Sequence, residues 1–295
     1  IAFIVGVLCT PFITNWLYTN QMWKKKAGKG AGYGGGSTPI FDSLHRETDT
    51  NTPRMGGIVI WASVFITAFL LMLVDTFWHY SFLSGLDFFS RSQTWLPLTA
   101  LAVGAGLGFL NDYYDVTHAG SGIRLRVRLL LITGLATFIG WWFYAKLGVS
   151  TVSIPFAEPL GIGWGIIPLI VIISLALYAS GVIDGIDGLS GGVFAAVFAG
   201  YAGIAFTQAQ FDLAALCATI IGAILAFLWF NIPPARFWMT ETGTMALTLA
   251  LSVIVFMTDS LGDGHGVALL FVIGLPLIVT VGSNVLQISS KKFRG

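Results

Sequence analysis

Four carboxylates stand in unusually apolar surroundings: Asp112 in GFLNDYYDV, Asp184 and Asp187 in GVIDGIDGLSGG, and Glu241 in FWMTETGTMAL. Each falls where a long apolar run begins or ends. A carboxylate at the edge of a bilayer is expensive and usually serves a function. Several of them, brought together from separate helices, suit a divalent cation and a phosphorylated substrate. Asp184 and Asp187 lie at i and i+3, one face if the segment is helical. Gly185 and Gly188 leave room for a ligand near the backbone. A glycine-rich turn with two solvated acids is the plainer account of the same segment.

The other motifs carry similar alternatives. Asn111-Asp112 closes a helix, where the dipole is negative and a cation is welcome; an ordinary polar helix end accounts for it equally. Thr240-Glu241-Thr242 reads as a helix start, whose unpaired N–H groups suit phosphate oxygens. Glu241 is placed to hold Mg²⁺ beside them, and Trp238 and Phe237 to stack a base. A simple N-cap next to an interfacial aromatic is the rival description. In His45–Gly57 (HRETDTNTPRMGG), Arg46 and Arg54 suit a phosphate or an anionic lipid head. His45 alone is a weak pointer to catalysis. Taken together, carboxylates, arginines, a helix start and aromatics describe a Mg²⁺-assisted phosphoryl-transfer site.

Long helices must position these groups. The chain has 295 residues, 56% hydrophobic and 10% charged. A soluble domain carries about 25% charge. The expectation is one integral membrane domain over 1–295. Spans are expected at roughly 1–23, 56–78, 95–110, 125–147, 164–180, 191–207, 213–230, 242–257 and 267–288, nine in all. Run length favours an all-α helical bundle over a β-barrel, whose strands alternate over about ten residues.

Of the 15 basic residues, only Arg91 and Lys146 fall outside the odd-numbered loops and the tail. Lys24, Lys25, Lys26, Lys29, Arg46, Arg54, Arg124, Arg126, Arg128, Arg236, Lys291, Lys292 and Arg294 share one side, which the positive-inside rule makes cytoplasmic. The same orientation puts all four acids on that face. The first cytoplasmic loop, 24–55, includes a flexible glycine-rich linker at 28–36, too irregular for a phosphate loop. A net charge of +1 argues against nucleic acid as a partner. Cys9 and Cys217 read as lipid- or core-facing thiols. The first run lacks a cleavage site and reads as a span, not a signal peptide. A start at Ile1 and a stop at Gly295 after a basic cluster read as an ordered fragment of something longer.

The ordered motifs TPRMGG, GFLNDYYD, IDGIDGLSGG, FLWFNIPPARFWMTETGTMAL and LQISSKKFRG resemble those of the polyprenyl-phosphate N-acetylhexosamine-1-phosphate transferases, from about His45 to Gly295. The resemblance implies ten membrane helices, Mg²⁺, a polyprenyl phosphate acceptor and a UDP-amino sugar donor, with lipid-linked sugar and UMP as products. UDP-N-acetylmuramoyl-pentapeptide is the expected donor and UDP-N-acetylglucosamine the runner-up. An inactive lipid-binding relative is a rival of another class. The bacterial cytoplasmic membrane is the expected location, and a second copy of the chain a further partner.

The family's paired aspartates fall on Asn111 and Asp112, its DGxDG aspartates on Asp184 and Asp187, and its metal-binding aspartate on Glu241. Its uracil-stacking aromatic falls on Trp238, and a loop asparagine on Asn231. Four departures stand out. Glu241 keeps the charge of the family's aspartate but reaches one methylene further. Asn111 cannot take a proton, so any base is Asp112. A family lysine falls on Asp115, for which Arg124 or Arg126 is the expected substitute. A family asparagine falls on Gly181. The family's histidine motif and tenth helix match nothing in this chain.

Overall fold

The computed structural model describes residues 1–23, 51–77, 88, 93–118, 122–260 and 264–294. Most of the first loop, with His45, Arg46 and the glycine-rich linker, lies outside them. Ten helices run through the described residues: α1 Ala2–Thr19, α2 Ile58–Phe77, α3 Trp95–Thr117, α4 Leu125–Ala145, α5 Ile166–Ser180, α6 Leu189–Thr207, α7 Phe211–Asn231, α8 Thr240–Ser260, α9 Gly266–Ile273 and α10 Leu275–Arg294. A two-stranded antiparallel ribbon, β1 Thr151–Val152 with β2 Leu160–Gly161, joins α4 to α5. Cys9 and Cys217 are free thiols.

α8 is the axis of the bundle. Apart from Glu241 and Ser260, every one of its residues is buried. α3, α5, α6 and α9 pack around it, and α3 covers the longest stretch. A helix enclosed on all sides needs small residues where neighbours approach and satisfied polar groups elsewhere. α8 has both. Gly243, Ala246 and Ala250 keep it thin. The Thr248 hydroxyl donates to the Thr244 carbonyl at 2.8 Å, Ser252 to Leu249 at 2.8 Å and Thr258 to Ile254 at 3.0 Å. These back-bonds hide the hydroxyls inside the helix's own ladder.

Among the described residues, seven helices are long and apolar enough to cross a membrane, or eight if a bent pair counts as one span. The expected nine are therefore not confirmed among the described residues, for two reasons. α3 has the length, but Asn111, Asp112 and Asp115 in its last turns dilute its apolar character. The run at 267–288 is not one rod: α9 and α10 meet at 67°. Gly274-Leu275-Pro276 sits at the break, and a proline near a helix start lacks the N–H that would continue the preceding ladder.

Candidate active site

Asp112 owes its position to small residues on α3. Ala100, Gly104 and Gly108 recur every fourth residue, and Asp112 is the next member of the row. A Cβ on Gly104 would lie 2.6 Å from the Met245 carbonyl, and one on Gly108 2.1 Å from the Glu241 carbonyl. The two backbones therefore touch, as small-residue crossings allow. One turn further on, the fully buried Asp112 reaches the start of α8. Its Oδ2 accepts from the Thr240 hydroxyl at 2.5 Å, the Thr242 amide at 2.8 Å and the Thr242 hydroxyl at 2.6 Å. Its Oδ1 is buried and has no partner.

Asp184 arrives from the opposite side. A 3-10 turn, Gly181–Ile183, carries the chain out of α5. Oδ1 of Asp184 then accepts from the Ser190 hydroxyl at 2.7 Å, and Oδ2 from the Thr240 amide at 2.7 Å. Burial holds its carboxyl above the usual carboxylate range, against the pull of the Ser190 and Thr240 bonds.

Thr240 is thus where the motifs meet. Its amide holds Asp184, and its hydroxyl holds Asp112 while accepting from the Met55 amide at 3.1 Å. It does so at φ +53°, a left-handed conformation that a β-branched residue adopts only when its surroundings impose it. The amides at the start of α8, expected to be free for phosphate, are in part taken: Asp184 occupies that of Thr240 and Asp112 that of Thr242.

Two ion pairs flank this node. Arg128, on the first turn of α4, donates to Oε1 of Glu241. Arg54 pairs with Asp115 at 3.1 Å. Each pair leaves buried atoms without partners: Nε of both arginines and Oε2 of Glu241. Glu241 is therefore already neutralised in part by a cation 113 residues away. Arg124 is exposed and makes no ion pair among the described residues, so Arg128 and Arg54 are the cations built into the site. Asn111 faces its own chain: its Oδ1 accepts from the Ile123 amide at 3.0 Å and pins the loop before α4.

The third cluster joins the loops on either side of α6 and α7. Asp187 accepts from the Trp238 indole at 3.1 Å and from the Ala235 amide at 3.4 Å. Asn231 donates to the Phe237 carbonyl at 2.9 Å and accepts from the Gly188 amide at 2.8 Å. Both side chains fasten the 232–239 loop. Trp238 is half-buried. Phe237 is not a stacking surface: it is fully buried, between Phe227 at 5.7 Å and Phe230 at 6.2 Å. At Gly185 a Cβ would meet only the Val182 carbonyl, at 4.0 Å, so that turn is open.

The residues missed from sequence were Thr240, Thr242, Arg128 and the partnership of Asp115. The Thr-Glu-Thr motif carried a signal for the first two. Nothing local separates Arg128 from Arg124 and Arg126.

Among the described residues, no three His, Cys, Asp or Glu side chains are gathered as a metal-holding group. The donor set still suits Mg²⁺, which takes one or two carboxylates together with water and substrate phosphates. The buried, unpartnered oxygens of Asp112 and Glu241 are donors of that kind.

One buried acid, Asp112, and the half-buried Asp184, Asp187 and Glu241 thus meet two paired arginines in a bundle of helices long and apolar enough to cross a membrane. Residues 94–259 match the model of glycosyl transferase family 4. A phospho-N-acetylmuramoyl-pentapeptide-transferase of Listeria monocytogenes serotype 4b is 30% identical over 299 residues, covering all of this chain and 83% of the relative. A transferase of the same name from Geobacillus sp. is 33% identical over 251 residues, 83% of this chain and 71% of the relative. One from Halalkalibacterium halodurans is 31% identical over 252 residues, again 83% and 71%. The chain belongs to glycosyl transferase family 4 and is a membrane transferase.

Proposed function

We propose that the protein transfers phospho-N-acetylmuramoyl-pentapeptide from its UDP carrier to a polyprenyl phosphate, giving lipid I and UMP in peptidoglycan synthesis. The observation that carries this reading is the convergence of Asp112 and Asp184 on Thr240, with buried carboxylate oxygens left without partners. The names of the relatives supply the substrates.

An oxygen of the lipid phosphate forms a bond to the β-phosphorus of the UDP-sugar. The bond from that phosphorus to the bridging oxygen breaks, and UMP leaves with the oxygen. A phosphate monoester has a second pKa of about 6, so the attacking group is largely dianionic without a base. Asp112 and Glu241, whose free oxygens are buried without partners, would hold Mg²⁺ with help from Asp184, and the ion would supply neutralisation of the diphosphate charge. Arg54 and Arg128 bring fixed positive charge to the same place. Trp238 offers a face for uracil, and Asp187 fixes the plane of its ring. The site lies on the cytoplasmic face, where the basic loops belong, in a bacterial inner membrane.

The test is UMP release by the purified protein with Mg²⁺, undecaprenyl phosphate and each UDP-sugar in turn. Turnover is expected with UDP-N-acetylmuramoyl-pentapeptide. It should vanish on chelation and fall by orders of magnitude in Asp112→Asn. Turnover with UDP-N-acetylglucosamine alone would replace the donor. No UMP with either sugar would refute the proposal.

A further inference from the structure

The Arg54 side chain is placed with more care than a surface ion pair needs. Its backbone is fixed on both sides: the Arg54 amide donates to the Met22 carbonyl at 2.7 Å, the Trp238 amide to the Pro53 carbonyl at 2.9 Å, and the Met55 amide to the Thr240 hydroxyl. Only the side chain retains freedom, and Asp115 removes it at 3.1 Å. Both partners are largely covered, with side-chain exposures of 17% and 16%. Asp115 lies one turn beyond Asp112 on α3, on the same helix face. Met55, the residue after Arg54, donates its amide to the Thr240 hydroxyl that also holds Asp112. The Arg54 Nε is buried without a partner. A guanidinium offers five donors in a rigid fork, so one carboxylate leaves capacity for a second anion.

We infer that Asp115 is a positioning residue, which holds the Arg54 guanidinium one helical turn from Asp112 so that Arg54 binds a phosphate group of the substrate. This rests on the phosphoryl-transfer reading of the site. The ligand chemistry is a phosphate ester, which the nucleotide donor and the lipid acceptor both carry.

Binding of UDP, uridine and undecaprenyl phosphate to the full chain in detergent tests it, together with melting temperatures. The variants are Arg54→Gln, Asp115→Ala, Asp115→Glu and the Arg54→Gln/Asp115→Ala double. Arg54→Gln is expected to weaken one phosphate ligand about tenfold or more, the scale of a charge-assisted bond, and to leave uridine unchanged. Whether UDP or the lipid loses affinity identifies which phosphate Arg54 meets. Asp115→Ala should weaken the same ligand several-fold, Asp115→Glu should restore part of the loss, and the double variant should match Arg54→Gln alone. Tighter phosphate binding in Asp115→Ala would overturn the inference, because the carboxylate would then compete with substrate. Losses that add in the double variant, or a lowered melting temperature with unchanged affinity, would overturn it too. Failure of the unaltered protein to bind UDP or the lipid would instead remove the phosphoryl-transfer reading itself.

Discussion

Gly108→Ala is the sharpest probe of how the site is built. The added methyl carbon would sit 2.1 Å from the Glu241 carbonyl oxygen, 2.6 Å from its carbon and 2.9 Å from the Thr242 Cα. All three are backbone atoms, so no side chain can turn aside. Ordinary contact begins at 3.4 Å, and α3 must therefore retreat from α8 by about 1.3 Å. Overpacking of this kind costs about 1–3 kcal/mol. The larger consequence is for Asp112, one turn away, whose three bonds to Thr240 and Thr242 span 2.5–2.8 Å. A misplacement of about 1 Å can cost ~100-fold in rate.

The control lies on the same helix. At Gly106 an added Cβ meets nothing within 4 Å, and alanine there should gain about 0.8–1 kcal/mol of helix propensity. Thermal unfolding in detergent and UMP release should be measured for both variants. Gly106→Ala should match or exceed the unaltered protein in stability and turn over normally. Gly108→Ala should melt lower and lose roughly two orders of magnitude in rate. If Gly108→Ala behaves like Gly106→Ala, the α3–α8 contact does not set the position of Asp112.

Thr240→Val keeps the β-branched shape at φ +53° but removes the hydroxyl, leaving the Met55 amide unpaired. It should cost about 1–3 kcal/mol, read from unfolding, and turnover should fall further than stability alone explains. Asp184 gives a pH signature. Burial holds its carboxyl above the usual range, so the protonated form persists to higher pH and competes with a cation. Mg²⁺ affinity, followed by the melting temperature as Mg²⁺ is added, should weaken as pH falls through that raised value, and Asp184→Asn should flatten the dependence. Phe237→Ala should cost about 3–5 kcal/mol, the scale for emptying a buried aromatic site, without changing the UDP affinity of the folded protein. Trp238→Ala should weaken UDP binding about tenfold, on the scale of base stacking.

Charge is conspicuous in apolar sequence, so the acids stood out as candidates. Asp112 and Asp184 needed only their surroundings to stand out. Their arrangement was not legible, because it depends on Thr240, and nothing local distinguishes a threonine forced into the left-handed region from an ordinary N-cap. Phe237 and Trp238 look alike as neighbouring aromatics. What separates them is the rings of Phe227 and Phe230 on one side, a fact of tertiary packing. The Glu241–Arg128 pair links distant segments, and no periodicity reports it. The small-residue row leading to Asp112 was present in sequence, and hydropathy alone passes over it. The break at Gly274-Leu-Pro276 was likewise written in the chain, but the apolar run continues across it and hides the bend.

The enclosure of α8 bears on how the protein is made. Its inner hydroxyls are bonded to its own carbonyls, so the middle of the helix asks nothing of its neighbours and can rest in lipid on its own. Its obligations lie at the two ends. Thr240 and Thr242 need Asp112 and Asp184, while Asp259 takes the Ser153 amide at 3.1 Å and the Val267 amide at 3.1 Å. Of the helices that surround it, α3, α5 and α6 are synthesised before it and α9 after. During biogenesis α8 can therefore slide into a slot its predecessors have formed, and fasten at the two membrane faces, where water is present to exchange the bonds.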